Sequence, residues 1–144
     1  MSSERVKKLR FIRIYDGDLI PRYLVENNKE RTFDVNHFYN VLKLAANSLT
    51  TFLYVLVDEE NIIVGYLWIE LDLLGKKFIV NTLSIDKSYW GEHVFDIVDD
   101  FVKELMHKNN IKRVWWITSR PAYYCKKGYF ESKDTIMEYK VTEV

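Results

Sequence analysis

Cysteine is almost missing from this chain: Cys125 is the only one, so no disulfide can form within it. A lone cysteine points to a reducing, cytoplasmic setting. Proline is nearly as scarce, with Pro21 and Pro121 alone, and there are five glycines in 144 residues. That leaves no Pro/Gly/Ser linker and no low-complexity tract, and no repeat is visible, so 1–144 reads as one domain. No charge of one sign dominates: 21 basic and 21 acidic residues cancel. A chain-wide nucleic-acid or membrane field is thereby excluded. Long apolar runs are absent too. The longest, "IIVGYLWI" at 62–69, is far short of the roughly 20 residues a spanning helix needs. The start, "MSSERVKK", has no apolar leader segment. The three histidines, His37, His93 and His107, are scattered without metal-ligand spacing, so no metal site is expected.

What is present is apolar and aromatic: 48% hydrophobic and 15% aromatic residues, ample for a core at this size. Strands are predicted at 9–17, 51–57, 62–74, 77–85, 111–119 and 135–141. Helices are predicted at 18–28, with Asp18 as cap and Pro21 in the first turn, at 34–48, at 91–108 and at 121–128. In 91–108, Val94, Ile97, Val98, Phe101, Val102, Leu105 and Met106 make one apolar stripe, with Asp96, Asp99 and Asp100 outside it. Short turns between 51 and 85 imply an antiparallel meander. A helix between the strands 77–85 and 111–119 implies a parallel pair. The fold class is therefore a mixed α/β sheet with helices on both faces.

Two stretches carry chemistry. "SIDKSYWGEHVFD", 84–96, runs from strand to glycine turn to helix, an arrangement whose backbone N–H groups can hold a phosphate. Gly91 permits close approach, but Glu92 competes with an anion for the helix's positive end, and Asp96 adds to this. The strand 62–74 alternates Tyr66, Trp68, Glu70 and Asp72 on one face. They form either a substrate wall, with Glu70 as a proton acceptor, or the wet face of an antiparallel sheet. Trp115 and Trp116, neighbours on a strand, are expected to face opposite sides and fill both layers rather than stack nucleic-acid bases. Cys125 reads as a small helix residue.

The element order, together with "AYYCKKGYFES" at 122–132 and the turn at 84–96, resembles the GNAT family of acyl-CoA N-acyltransferases. Tyr124, four residues before Gly128, matches the family's late motif. The resemblance implies that Tyr124 reprotonates the departing CoA thiolate; the bland alternative is an aromatic packed on a short helix. Leu83-Ser84-Ile85 matches the strand end at which the family distorts the backbone to polarise the acyl carbonyl. Trp90 stands where the family's pyrophosphate turn has a basic residue, Gly91 matches its first glycine, and His93 and Phe95 replace later ones. By resemblance the donor-binding segment is Leu83, Ser84, Ile85, Trp90, Gly91, Glu92 and His93. The implied architecture is a mostly antiparallel sheet with one splayed parallel pair. The implied reaction moves an acetyl or other acyl group from acetyl-CoA or a related thioester to a small-molecule or peptide amine. The alternative is a GNAT fold that has lost catalysis and serves as a structural or binding component of a larger assembly; a homo-oligomer fits either reading.

Overall fold

The computed structural model describes residues 4–28 and 34–141. Five strands form one sheet in sequence order: β1 (Arg10–Arg13), β2 (Thr51–Val57), β3 (Ile63–Asp72), β4 (Lys77–Ile85) and β5 (Arg113–Trp116). All neighbours are antiparallel except β4 and β5, which are parallel. The meander rests on two tight reversals. Asp58 accepts from the amides of Glu60 and Ile62 at 2.9 and 3.0 Å, and Asn61 takes the left-handed φ of 64° that asparagine tolerates. At the second, Asp72 accepts from the Gly75 amide at 3.1 Å and from the Lys77 ammonium at 2.7 Å.

Helices cover both faces. On one side, α2 (Arg22–Glu26) and α3 (Val35–Ala45) bury Leu24, Val25, Phe38 and Leu42 against Leu53, Val55, Tyr66 and Trp68. On the other, α4 (Val94–Lys108) and α1 (Glu4–Lys7) bury Val98, Val102 and Val6 against Leu67, Ile69 and Phe78. The alternation along β3 therefore sends successive residues into two separate cores. Tyr66 and Trp68 are buried beneath Phe38, at ring distances of 5.5 and 5.8 Å, so the wet-face reading fails for them. The helices α2 and α3 cover that face, in line with the expectation of helices on both sides of the sheet.

Other expectations need correction. The region 18–28 is not one helix. A 3-10 turn at Gly17–Leu19 is capped by Asp16, which accepts from the Asp18 amide at 3.0 Å, and α2 begins only after Pro21. Ile20 precedes proline and is driven to an extended ψ of 122°, which breaks the helix there. The long helix starts at Val94 rather than 91, because Gly91 and His93 take φ of 83° and 58°. Asp99, placed outside the apolar stripe, is 7% exposed and points inward. No strand forms at 135–141; that segment is irregular and exposed, with no strand paired to it among the described residues. A strand needs a partner for its amides as well as strand-forming side chains. The short helix α1 had no signal in the sequence. The remaining helix, α5 (Pro121–Lys126), has Pro121 in its first turn as expected.

Candidate functional site

The parallel pairing of β4 with β5 stops at Val80–Trp116. Beyond it, β4 continues to Ile85 along β3 while the chain after Trp116 turns away into α5. The two strands thus open into a groove of about 340 Å³, with Asn81 to Ile85 on one bank and Trp116, Ile117, Arg120, Tyr123 and Tyr124 on the other. The turn at Trp90–Phe95 closes its end. Where the pairing ends, β4 carries a bulge: Trp68 faces Thr82 and Ile69 faces Val80, so Asn81 is the extra residue. The backbone distortion expected near Ser84 lies at Asn81. Ser84 has a different task, donating its hydroxyl to the Leu24 carbonyl at 2.6 Å and pinning α2 to β4. Asn28 adds a second pin through Thr82 Oγ1 at 2.8 Å.

At the closed end, the Trp90 indole donates to the Ile85 carbonyl at 3.0 Å and seals the strand terminus. Among the described residues, no backbone carbonyl accepts from the amides of Gly91, His93, Val94 or Phe95. Two left-handed residues, Gly91 and His93, curl this segment into α4 and bring those amides to the groove, where all four residues line it. A Cβ on Gly91 would meet nothing within 4 Å, so the space before that residue is open.

The two acids that compete for the helix end are both engaged by cations. Glu92 pairs with Arg5 of α1, Oε1 accepting from Nε at 2.9 Å, and Asp96 accepts from Lys127 at 2.7 Å. The Arg5 and Lys127 pKa values rise accordingly, chiefly through those hydrogen bonds. Arg120, on the opposite bank, adds a cation to the lining and lies over the Tyr123 ring at 5.3 Å. Sequence reasoning missed these compensations, because partners 87 and 31 residues apart leave no local signal.

Phe95 does not plug the groove. Its ring joins an aromatic wall, edge-on to Tyr124 at 5.2 Å and tilted against Trp116 at 5.2 Å. Tyr124 is 8% exposed and lines the groove from α5. Behind it, the Tyr129 hydroxyl donates to buried Asp99 and accepts from the Trp116 indole at 3.1 Å, while Lys103 holds the other Asp99 oxygen at 2.8 Å. Burial first and the Asp99 bond second push the Tyr129 pKa far up. This knot fixes where α5 ends and thus where Tyr124 stands. Trp115 turns the other way, beneath the Lys77 ammonium at 4.2 Å. Glu70 is not part of the lining. Its Oε1 accepts from Thr51 Oγ1 and the Trp68 indole, both at 2.8 Å, on the α2–α3 side of the sheet. Leu83, Ser84, Ile85, Trp90, Gly91, His93 and Tyr124 are thus brought together in the lining, while the Glu92 side chain is held by Arg5 and Glu70 lies apart. Among the described residues, no cluster of His, Cys, Asp or Glu could hold a metal ion, and no helix is long and apolar enough to cross a membrane.

No family model and no curated protein matches the sequence. Solved structures do match the fold. A possible acetyltransferase from Clostridium difficile 630 has a TM-score of 0.73 at 14% identity, covering 94% of this chain and 99% of that one. The spermidine/spermine N-acetyltransferase of Vibrio cholerae has a TM-score of 0.68 at 11% identity, covering 95% and 86%. An aminoglycoside 6'-N-acetyltransferase from Acinetobacter baumannii has a TM-score of 0.66 at 6% identity, covering 94% and 99%. With its five-stranded sheet and splayed parallel pair, this chain has the fold of the GNAT acetyltransferases.

Proposed function

We propose that the chain is an N-acyltransferase that moves an acetyl or similar acyl group from acyl-CoA to an amine. The observation that carries this reading is the set of four uncommitted amides at 91–95, set at the closed end of a groove between splayed strands, with Tyr124 on the far bank. A pyrophosphate suits those amides and the α4 N-terminus, with Arg120 as its counter-charge. The thioester arm suits the edge of β4 beyond Val80, where among the described residues β5 no longer pairs and main-chain groups can bond to amides in the arm.

The chemistry follows from that placement. A neutral amine attacks the thioester carbonyl, the C–N bond forms and the C–S bond breaks. The departing thiolate takes the Tyr124 phenol proton, and the amine's surplus proton leaves through water. Glu70 faces the α2–α3 side and is reached through water rather than directly. The bulge at Asn81 is the place from which main-chain N–H groups polarise the carbonyl. The structural neighbours named for aminoglycosides and for spermidine/spermine make polycationic amines the first acceptors to try.

The test is thermal unfolding with and without acetyl-CoA. At 100 times the dissociation constant a ligand adds about 2.7 kcal/mol of stability, a plain rise in Tm. If neither acetyl-CoA nor a longer acyl-CoA shifts the transition, the donor assignment fails, and the non-catalytic reading takes its place.

A further inference from the structure

We infer that the His93 side chain is itself a pyrophosphate ligand, charged when it binds, so that donor affinity follows the protonation of one ring. The inference rests on the acyl-CoA reading above and gives that site a regulation. His93 takes a left-handed φ of 58°, a conformation that is strained for a residue with a Cβ and easy for glycine. Neither packing nor capping accounts for the ring. It caps no amide of α4, and among the described residues it makes no hydrogen bond and joins no aromatic stack. Half-exposed, it lines the groove beside the uncommitted amides. An unusual backbone conformation that holds an idle polar group in a cleft points to a ligand.

Without that ring the site is short of cations. A pyrophosphate is doubly charged, and among the described lining residues Arg120 is the only permanent cation. On the amide bank, Trp90 stands where a basic residue would serve, and its indole is tied to the Ile85 carbonyl. The surrounding charges are otherwise matched. From the turn and α4, Glu92 is held by Arg5 of α1, and Asp96 by Lys127 beyond α5. At the strand end, Asp86 is bonded to the Ser88 amide and the Tyr23 hydroxyl, with Lys87 beside it. From α5, Tyr123 faces the groove as a phenol that burial keeps neutral. The β4 bank, Asn81 to Ile85, carries no charge. Asp96 also lies 3.8 Å from His93 Nδ1. That carboxylate steadies a proton on Nδ1 and leaves Nε2 to donate to a phosphate oxygen. Such a charge-assisted bond is stronger than one from a neutral ring. The protonated form therefore binds the donor better, and affinity falls as pH rises through the range in which an imidazole loses its proton.

Calorimetric titration of the full chain tests this at about pH 6 and about pH 8. The ligand is acetyl-CoA stripped of its ribose phosphate, a monoester that would itself titrate in this range. The expected Kd is about tenfold lower at the acid pH. Repeating the titration in buffers of different ionisation enthalpy should show protons taken up on binding, which a purely structural ring would not produce. His93→Asn, whose side chain tolerates the left-handed turn, should bind about equally at both pH values and lose the proton uptake. His93→Lys should bind tightly at both. A parent whose affinity ignores pH, or an asparagine variant that keeps the parent's pH response, overturns the inference and leaves the acyl-CoA reading standing. If the parent binds no acetyl-CoA at either pH, that reading falls and this inference with it.

Discussion

Tyr124 can be tested without disturbing its surroundings, since phenylalanine keeps the ring that packs on Phe95, Trp116 and Tyr129. With an acceptor amine in hand, Tyr124→Phe should lower kcat by about 10²–10⁴ and leave acetyl-CoA binding nearly unchanged. An unaltered kcat would make Tyr124 a packing residue only. Asp86 offers a test of electrostatics at the strand end. Its carboxylate accepts from the Ser88 amide at 2.9 Å and the Tyr23 hydroxyl at 2.8 Å, and these bonds, the Ser88 amide first, hold its pKa below the usual value. Burial and the Asp86 bond in turn push the Tyr23 phenol up to about 12. A carboxylate with a depressed folded pKa stabilises above its unfolded value, and that contribution is lost as pH falls through the folded one. Asp86→Ala should therefore cost about 1 kcal/mol at neutral pH. The gap between the parent and variant melting curves should shrink below about pH 4, where the unfolded carboxyl begins to protonate.

At the scale of elements, the turn at 90–95 makes the sharpest prediction. Gly91 has room for a side chain but sits at φ 83°, where a Cβ is strained. Gly91→Val should destabilise by about 1–2 kcal/mol, and it should weaken acetyl-CoA binding more than its effect on Tm accounts for, read by titration calorimetry. The helix-breaking pattern and the runs bounded by turns were legible in the sequence. β2 and β4 have the expected ends because Thr51–Val57 and Lys77–Ile85 are β-rich stretches between punctuating turns. Tyr124 and Gly91, singled out by local motifs, line the same groove. What escaped was decided by partners distant in sequence: the inward turn of Asp99 toward Tyr129, the burial of Tyr66 under Phe38, and the Arg5–Glu92 and Lys127–Asp96 pairs. The strand at 135–141 failed for the same reason, because pairing depends on an edge that composition cannot supply.

For the whole molecule, the sheet separates two cores. Leu42, 0% exposed, belongs to the α2–α3 side, and Val98, also 0% exposed, belongs to the α4 side. Leu42→Ala should cost about 2–5 kcal/mol in denaturant unfolding. Combined with Val98→Ala, the losses should add to within about 0.5 kcal/mol, since the two residues share no core cluster. A larger coupling would mean the layers are not independent. The pairing of Arg5 with Glu92 joins residues 87 apart in the chain and ties α1 to the turn at the closed end of the groove. Trimming the chain up to and including that arginine, or fusing a tag that pulls it away, would take a neutralising cation from the Glu92 carboxylate, beside the amides proposed to hold a polyphosphate. Affinity for acetyl-CoA would then drop, with every lining residue still intact.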